Sequence, residues 1–164
     1  MQFNALYCLA RAQVHTLSCG AARPADFDEH VAALEFYDRI PETIATIERR
    51  LRDEIERNVG RDWVERWTEG LPQYIEVPGQ IHLKEILRLW TFVKGLGLVE
   101  WGKMRYNLMS QSDHWFPGET AAKLDNVNLA VTLKGSPFAA RIPGILHEAH
   151  DLLSDAPRKR LSQR

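Results

Sequence analysis

The sequence predicts a mostly α-helical fold, a compact bundle of five to six helices with a small antiparallel β-hairpin or sheet. Apolar residues recur every three or four positions through most of the chain, whereas period-two alternation is confined to one short stretch. The 164 residues, 45% of them hydrophobic and 26% charged, have the composition of a globular domain that folds without a partner. We therefore predict a single α-rich domain over residues 1–155 and a flexible basic tail over residues 156–164.

The amino-terminal third predicts three helices. Apolar spacing favours helices over residues 3–19, 26–40 and 41–59, and Gly20 and Gly60 lie where the first and third should end. In the third helix, oppositely charged residues four positions apart indicate a solvated outer face. In the second helix, we expect one inward face made of Phe27, Val31, Leu34, Tyr37 and Ile40.

The centre of the chain predicts a buried helix followed by a hairpin. Residues 81–94 are apolar on all but a narrow face, so we expect this helix to be largely buried and central. Two short runs, 98–101 and 104–108, flank Gly102 and Lys103, and glycine at the first turn position favours a β-hairpin.

Two further elements are predicted near the carboxyl end. Residues 126–133 alternate polar and apolar side chains, which is the pattern of a strand with one buried face. Apolar spacing then predicts a final helix over residues 144–154.

Charge and cysteine content restrict the function classes. The net charge of −1 gives no global positive field to attract nucleic acid or an anionic membrane. Residues 80–110 are locally basic, with five Lys or Arg against two Glu, and residues 151–164 carry four Lys or Arg against two Asp. Cys8 and Cys19 are expected to be reduced thiols, and the chain has no apolar run of membrane-spanning length. We predict a cytoplasmic protein with no membrane partner.

Common catalytic motifs are absent from the sequence. It has no glycine-rich phosphate loop between a strand and a helix, no serine nucleophile elbow and no zinc-protease histidine pair. His147 and His150, three apart on the final helix, are a weak candidate for a metal site, and their preferred interpretation is a polar outer helix face. Asp113 and His114 form a similarly weak acid–base candidate. We expect no cofactor and no enzymatic activity.

Within residues 80–110, the predicted helix followed by a hairpin resembles the second half of a winged-helix DNA-binding domain. The resemblance covers about thirty residues and rests on the order of elements alone. It implies a helix near the major groove and a wing near phosphate, and the nucleic-acid hypothesis adds the basic tail as a further contact. The residues implied as contacts to nucleic acid or to an acidic partner are Lys84, Arg88, Lys103, Arg105, Arg158, Lys159 and Arg160.

The function that the sequence favours is a non-enzymatic protein-interaction module, such as a small subunit, an inhibitor or an immunity-type protein. Trp115 and Phe116, two aromatic residues in a polar loop, are the candidate interface residues. Nucleic-acid binding through residues 80–110 and the basic tail is the alternative, and a metal-dependent enzyme is the third hypothesis.

Overall fold

The computed structural model describes residues 2–110 and 117–155. Seven α-helices account for most of these residues, which confirms the predicted mostly α-helical fold. They are α1 (Gln2–Leu9), α2 (Ala25–Ala32), α3 (Ile40–Val59), α4 (Arg61–Arg66), α5 (Leu83–Leu96), α6 (Val99–Tyr106) and α7 (Ile142–Leu153). Four 3-10 segments lie at Ala33–Arg39, Tyr74–Glu76, Pro78–Gln80 and Ala121–Asn126. None of the helices in the described ranges has the length and apolar content needed to cross a bilayer.

The chain divides into two compact units, unit 1 over residues 1–53 and unit 2 over residues 54–164. Each unit has its own cluster of buried apolar side chains. The single domain over residues 1–155 stays a prediction, because packing alone does not determine whether the two units unfold together.

Unit 1 has a small core, and α2 presents to it a different face from the predicted one. The buried apolar residues of this unit are Ala5, Leu6, Ala33, Ile40 and Ile44. Along α2 and the 3-10 segment that continues it, the buried positions are Asp26, Ala33 and, at the start of α3, Ile40. These positions are seven apart, close to two helical turns, and therefore share a face. Of the five residues predicted to point inward, only Ile40 is buried, so that prediction is wrong.

Asp26 is the reason why the hydrophobicity pattern does not reveal this buried face. This residue is 5% exposed, and its carboxylate accepts hydrogen bonds from the backbone amides of Ala22 and Arg23, at 2.9 and 3.0 Å. These two hydrogen bonds lower the pKa of Asp26, because they favour the ionised carboxylate. A residue that a hydrophobicity pattern assigns to the surface is thereby held inside by local backbone donors.

In unit 2, α5 is the central helix, as predicted, and it packs against both α6 and α7. The ring nitrogen Nδ1 of His82 caps its amino end by accepting a hydrogen bond from the Glu85 amide at 3.2 Å. Gly97, with φ of 69°, ends the helix in the left-handed conformation. The side chains of α5 that are buried in the core are Leu83, Ile86, Leu87, Leu89, Trp90, Thr91 and Val93.

The predicted β-hairpin is wrong, because residues 98–108 contain α6 instead of two strands. Gly102 lies inside this helix, and its missing side chain allows close packing. A Cβ atom there would stand 2.6 Å from Cγ2 of Val93 on α5 and 3.0 Å from Cδ2 of Leu153 on α7. Glycine is therefore required for the approach of three helices, whereas the local sequence indicated a turn.

The predicted strand over residues 126–133 is also wrong. The side chain of Asn128 accepts a hydrogen bond from the Ala130 amide at 2.9 Å, which starts a turn. Leu129 and Leu133 are buried four residues apart, whereas Val131 between them is 84% exposed. Four-residue spacing is typical of a helix, so this segment forms a helical turn instead of an extended strand. The described residues contain no strand, and only one isolated bridge joins Ile81 and Glu119.

Candidate functional site

Four large apolar side chains of unit 1 form an exposed row, which we name the apolar stripe. Its residues are Phe27, Val31, Leu34 and Tyr37, exposed to 53, 65, 55 and 59% respectively. They follow one another at spacings of four, three and three residues along α2 and the 3-10 segment. Side chains at these spacings lie on the same side of a helix. The stripe is thus a continuous apolar face that the folded chain leaves in contact with water.

The opposite face fixes the orientation of the stripe. Ala33 is completely buried, and the helix narrows to 3-10 geometry from this residue onward. Phe36 is half-buried against the core of unit 1, with the guanidinium carbon of Arg39 5.4 Å from the centre of its ring. Burial of Asp26, Ala33 and Ile40 on this side leaves the stripe residues on the outside.

Carboxylates border the stripe. Asp28, Glu35 and Asp38 are exposed, and the exposed Arg23 and Arg39 lie just beyond the two ends of the stripe. Glu29 is three residues after Asp26 and four before Ala33, so it lies on their side of the helix, where it accepts a hydrogen bond from the side chain of Gln2 at 3.2 Å. The local surface therefore combines an apolar centre with charged neighbours of both signs.

The basic residues predicted for nucleic-acid contact lie on two helices in unit 2. Lys84 and Arg88 are half-buried on α5, and Lys103 and Arg105 are half-buried on α6, so the predicted wing is absent. Because no hairpin forms in residues 98–108, the resemblance to a winged-helix domain is lost at its second element.

Two of these basic residues already have carboxylate partners. Arg88 makes a two-point contact with Glu85, at 2.9 and 2.6 Å, and its guanidinium lies 5.4 Å from the centre of the Trp101 ring. Lys103 forms an ion pair with Asp155 at 3.2 Å. A phosphate would have to compete with these acidic groups, which reduces the positive charge available to a ligand.

The other predicted contact residues lie outside the described residues. These are the interface candidates Trp115 and Phe116, the acid–base candidates Asp113 and His114, and the tail residues Arg158, Lys159 and Arg160.

His147 and His150 lie on α7 but have different partners. His147 is exposed, and its Nε2 atom is 3.6 Å from a carboxylate oxygen of Asp125. The Nδ1 atom of His150 is 2.7 Å from the hydroxyl of Tyr106. In residues 2–110 and 117–155, no group of three or more His, Cys, Asp or Glu side chains is gathered to hold a metal ion.

Tyr106 connects α6 with α7 and with the start of the 3-10 segment Ala121–Asn126. Its hydroxyl accepts a hydrogen bond from the Ala121 amide at 2.9 Å, and burial raises the pKa of Tyr106 to about 12. The hydroxyl therefore remains protonated at neutral pH. This role was missed in the sequence because Tyr106 was assigned to a strand.

Glu148 on α7 makes a second contact between helices. It accepts hydrogen bonds from Nε1 of Trp90 and Nζ of Lys94, both at 2.8 Å. The lysine ammonium group is the main cause of the lowered pKa of Glu148. These contacts fasten α7 to α5.

Unit 2 also contains an open cleft of about 460 Å³, within the usual size of small-molecule sites. Most of its lining is aliphatic, and Asp125 and His147 are its ionisable residues. Their side chains are 87 and 53% exposed, so burial does not orient them for acid–base chemistry.

Comparison of the chain with protein-family models, curated proteins and solved structures gives no match.

Proposed function

We propose that this chain is a non-enzymatic protein-interaction module that binds a partner protein through the apolar stripe of unit 1. The supporting observation is the exposure of Phe27, Val31, Leu34 and Tyr37, each by more than half, on one side of a helix. Contiguous exposed apolar surface of this kind is a mark of protein-binding sites. An amphipathic helix with anchors at three- and four-residue spacing is a recurrent way to occupy an apolar groove.

The energetic argument favours an anchor role for the stripe. Complete burial of a large apolar side chain contributes roughly 1.5–3 kcal/mol, so covering the exposed half contributes about 1 kcal/mol for each stripe residue. Phe27 and Tyr37 at its two ends are of the aromatic type that is enriched in protein interfaces. The proposal includes roles as a small subunit, an inhibitor or an immunity-type protein, since each requires a shaped binding surface and no catalytic group.

The experiment compares three forms of the full chain as baits in cells of the source organism. These are the native chain, the stripe variant Val31→Asp/Leu34→Asp, and the control Val131→Asp. Val131 is a matched control because it is an exposed valine in unit 2, outside the stripe. We expect a protein partner to be recovered with the native chain and the control, and lost with the stripe variant. Circular dichroism must show equal helix content in all three.

Recovery of the same partners with all three baits would contradict the proposal. Recovery of nucleic acid alone would instead support the alternative, nucleic-acid binding through residues 80–110 and the basic tail. The support for that alternative is the local excess of Lys and Arg, in which Lys84 is half-buried on α5. It requires DNA or RNA affinity that falls steeply with salt and is weakened by Lys84→Glu.

A further inference from the structure

We propose that Arg141 is the centre of a carboxylate-binding site in unit 2, separate from the apolar stripe. Its side chain is exposed, and its guanidinium lies against aromatic rings. None of the residues that the structure describes forms a hydrogen bond or an ion pair with this guanidinium. A planar guanidinium presents pairs of N–H donors that match the two oxygens of a carboxylate, so Arg141 offers the complement of that group.

Two tryptophan rings form the seat of the guanidinium. The guanidinium carbon of Arg141 lies 5.1 Å from the centre of the Trp63 ring and 5.6 Å from the centre of the Trp90 ring. The planes of the two rings are inclined at 71° to each other, so the guanidinium faces rings of two orientations. Cation–π attraction at these distances holds the charged group in place.

Both rings of this seat are themselves fixed. Nε1 of Trp63 donates a hydrogen bond to Oγ1 of Thr91, and Nε1 of Trp90 donates one to a carboxylate oxygen of Glu148, both at 2.8 Å. Trp63 is 1% exposed and Trp90 is 4% exposed, so neither ring has room to turn. A ligand of Arg141 would therefore meet a donor group that has already lost much of its conformational freedom.

Other arginines of unit 2 differ from Arg141 in having a carboxylate partner. Those with an ion pair to a neighbouring Asp or Glu are Arg57, Arg61, Arg66 and Arg88. Arg88 is the closest parallel, because it also lies against two aromatic rings, those of Phe92 and Trp101. Its donors, however, are occupied by the two-point contact with Glu85. Arg141 has the aromatic seat without the carboxylate, so a ligand can supply it.

The charges around Arg141 suit one singly charged ligand. Glu148 forms an ion pair with Lys94 at 2.8 Å and also accepts the hydrogen bond from Trp90. Lys94 is the main cause of the lowered pKa of Glu148, and the charge of Arg141 adds to the effect without an ion pair. At neutral pH, Arg141, Lys94 and Glu148 together carry one net positive charge. One carboxylate would neutralise it.

Nuclear magnetic resonance of arginine side chains tests the site in the native full-length chain. The Nε–Hε signals of nitrogen-15-labelled protein are followed while sodium acetate or acetamide is added at constant ionic strength. We expect acetate to shift the Arg141 signal until it saturates, and to leave the signal of the ion-paired Arg88 unchanged. Acetamide should shift neither signal, because it has the shape of acetate without its charge.

Two matched variants separate the planar donor pair from the positive charge. Arg141→Lys keeps the charge but loses the paired donors, and Arg88→Lys makes the same change at an arginine that already has a partner. Backbone amide shifts of residues 139–142 measure acetate affinity in both. We expect Arg141→Lys to bind acetate at least about fivefold more weakly than the native chain, and Arg88→Lys to bind it equally well. Circular dichroism must show equal helix content in all three proteins.

Three acetylated dipeptides then identify the source of the carboxylate. One has a glutamate side chain and an amidated end, one has alanines and a free carboxyl end, and one has alanines and an amidated end. Saturable binding of either of the first two, with no binding of the third, would support the site and show which carboxylate it accepts.

Several results would overturn the proposal. Equal or unsaturable shifts of the Arg141 and Arg88 signals would indicate a general salt effect only. Full acetate affinity in Arg141→Lys would show that the planar donors are not used, and tighter binding of sulfate than of acetate would exclude a preference for a carboxylate. The stripe variant Val31→Asp/Leu34→Asp should bind acetate as the native chain does, because the stripe belongs to unit 1. This result keeps the proposal separate from the proposed function.

Discussion

Helices α2 and α5 have similar apolar spacing, but the apolar residues of α5 are buried and those of α2 are exposed. In α5, Ile86 and Leu87 are completely buried and Trp90 is 4% exposed. In α2, Val31 is 65% exposed, and Leu34, in the segment that continues the helix, is 55% exposed. The periodicity of a sequence specifies that a helix has an apolar face, but it does not specify what covers that face.

The difference follows from the number of neighbouring elements. Helix α5 packs against α6 and α7, so its apolar residues are covered from two directions. The described residues of unit 1 include five buried apolar side chains, and small ones such as Ala5 and Ala33 make up part of this core. A core of this size is completed by one face of α2, which leaves the larger apolar residues on the outside.

The largest expected contrast between the two units is in the cost of removing a leucine side chain. We expect Leu87→Ala to lower the free energy of unfolding of unit 2 by about 3 kcal/mol, because it leaves a cavity in a buried site. Leu34→Ala removes an exposed side chain and should change stability by less than about 0.5 kcal/mol. Urea denaturation followed by far-UV circular dichroism measures both. A cost for Leu34→Ala as large as that for Leu87→Ala would mean that the stripe is buried within the chain.

The same titrations test the predicted single domain. All five tryptophans follow residue 53, so tryptophan fluorescence reports on unit 2, whereas circular dichroism reports on both units. One domain over residues 1–155 requires coincident transitions by the two probes. Separate transitions would show that unit 1 and unit 2 unfold independently.

A smaller effect is expected at two helical glycines of unit 2. Gly102→Ala places a Cβ atom 2.6 Å from Val93, and we expect a cost of about 2 kcal/mol from overpacking. Gly144 in α7 has no heavy atom within 4 Å of the corresponding position, so Gly144→Ala should stabilise by about 0.5–1 kcal/mol through its higher helix propensity. Thermal unfolding of the two variants beside the native protein measures these opposite signs. Stabilisation by Gly102→Ala would refute the close packing of α5, α6 and α7.

The smallest expected effect is a pH dependence of the free energy of unfolding that arises at the amino end of α5. Burial is the main cause of the lowered pKa of His82, whose neutral ring caps the helix. Because the folded state binds this proton less readily than the unfolded chain, the free energy of unfolding should fall as pH decreases below about 6.5 and level off below the folded-state pKa. His82→Asn keeps a capping acceptor and should remove this part of the slope.

Urea titrations at several pH values, followed by tryptophan fluorescence, measure the slope for the native chain and for His82→Asn. The other histidines are present in both proteins, so the difference between the two slopes isolates His82. Identical slopes would exclude the proposed coupling between the cap and pH.

Part of the fold was predictable because it depends on local pattern. The spacing over residues 81–94 predicts α5, and the spacing over residues 41–59 predicts α3 to within one residue at its start. The errors over residues 98–108 and 126–133 have a common cause. Gly102 and Asn128 are typical of turns next to strands, but here the first permits close helix packing and the second begins a helical turn.

The candidate site was less predictable than the fold. The sequence pointed to Trp115 and Phe116, which lie outside the described residues, and to basic side chains of which Arg88 and Lys103 pair with carboxylates in the structure. The stripe residues were identified as one apolar face, but that face was assigned to the interior. Outside the stripe, residues 20–40 contain only two large apolar residues, Phe36 and Ile40. That low number was the available indication that unit 1 has a small core.

The sequence alone determined that this chain is mostly helical, because helix formation depends on side-chain spacing over one or two turns. Tertiary structure decided which apolar faces are covered, because coverage depends on neighbours far apart in the chain. Two residues show this effect of tertiary structure most clearly. They are Asp26, held inside by two backbone amides, and Gly102, enclosed by Val93 and Leu153. The exposed stripe is the consequence, since packing the opposite face of α2 and of the 3-10 segment after it turned Val31 and Leu34 toward water.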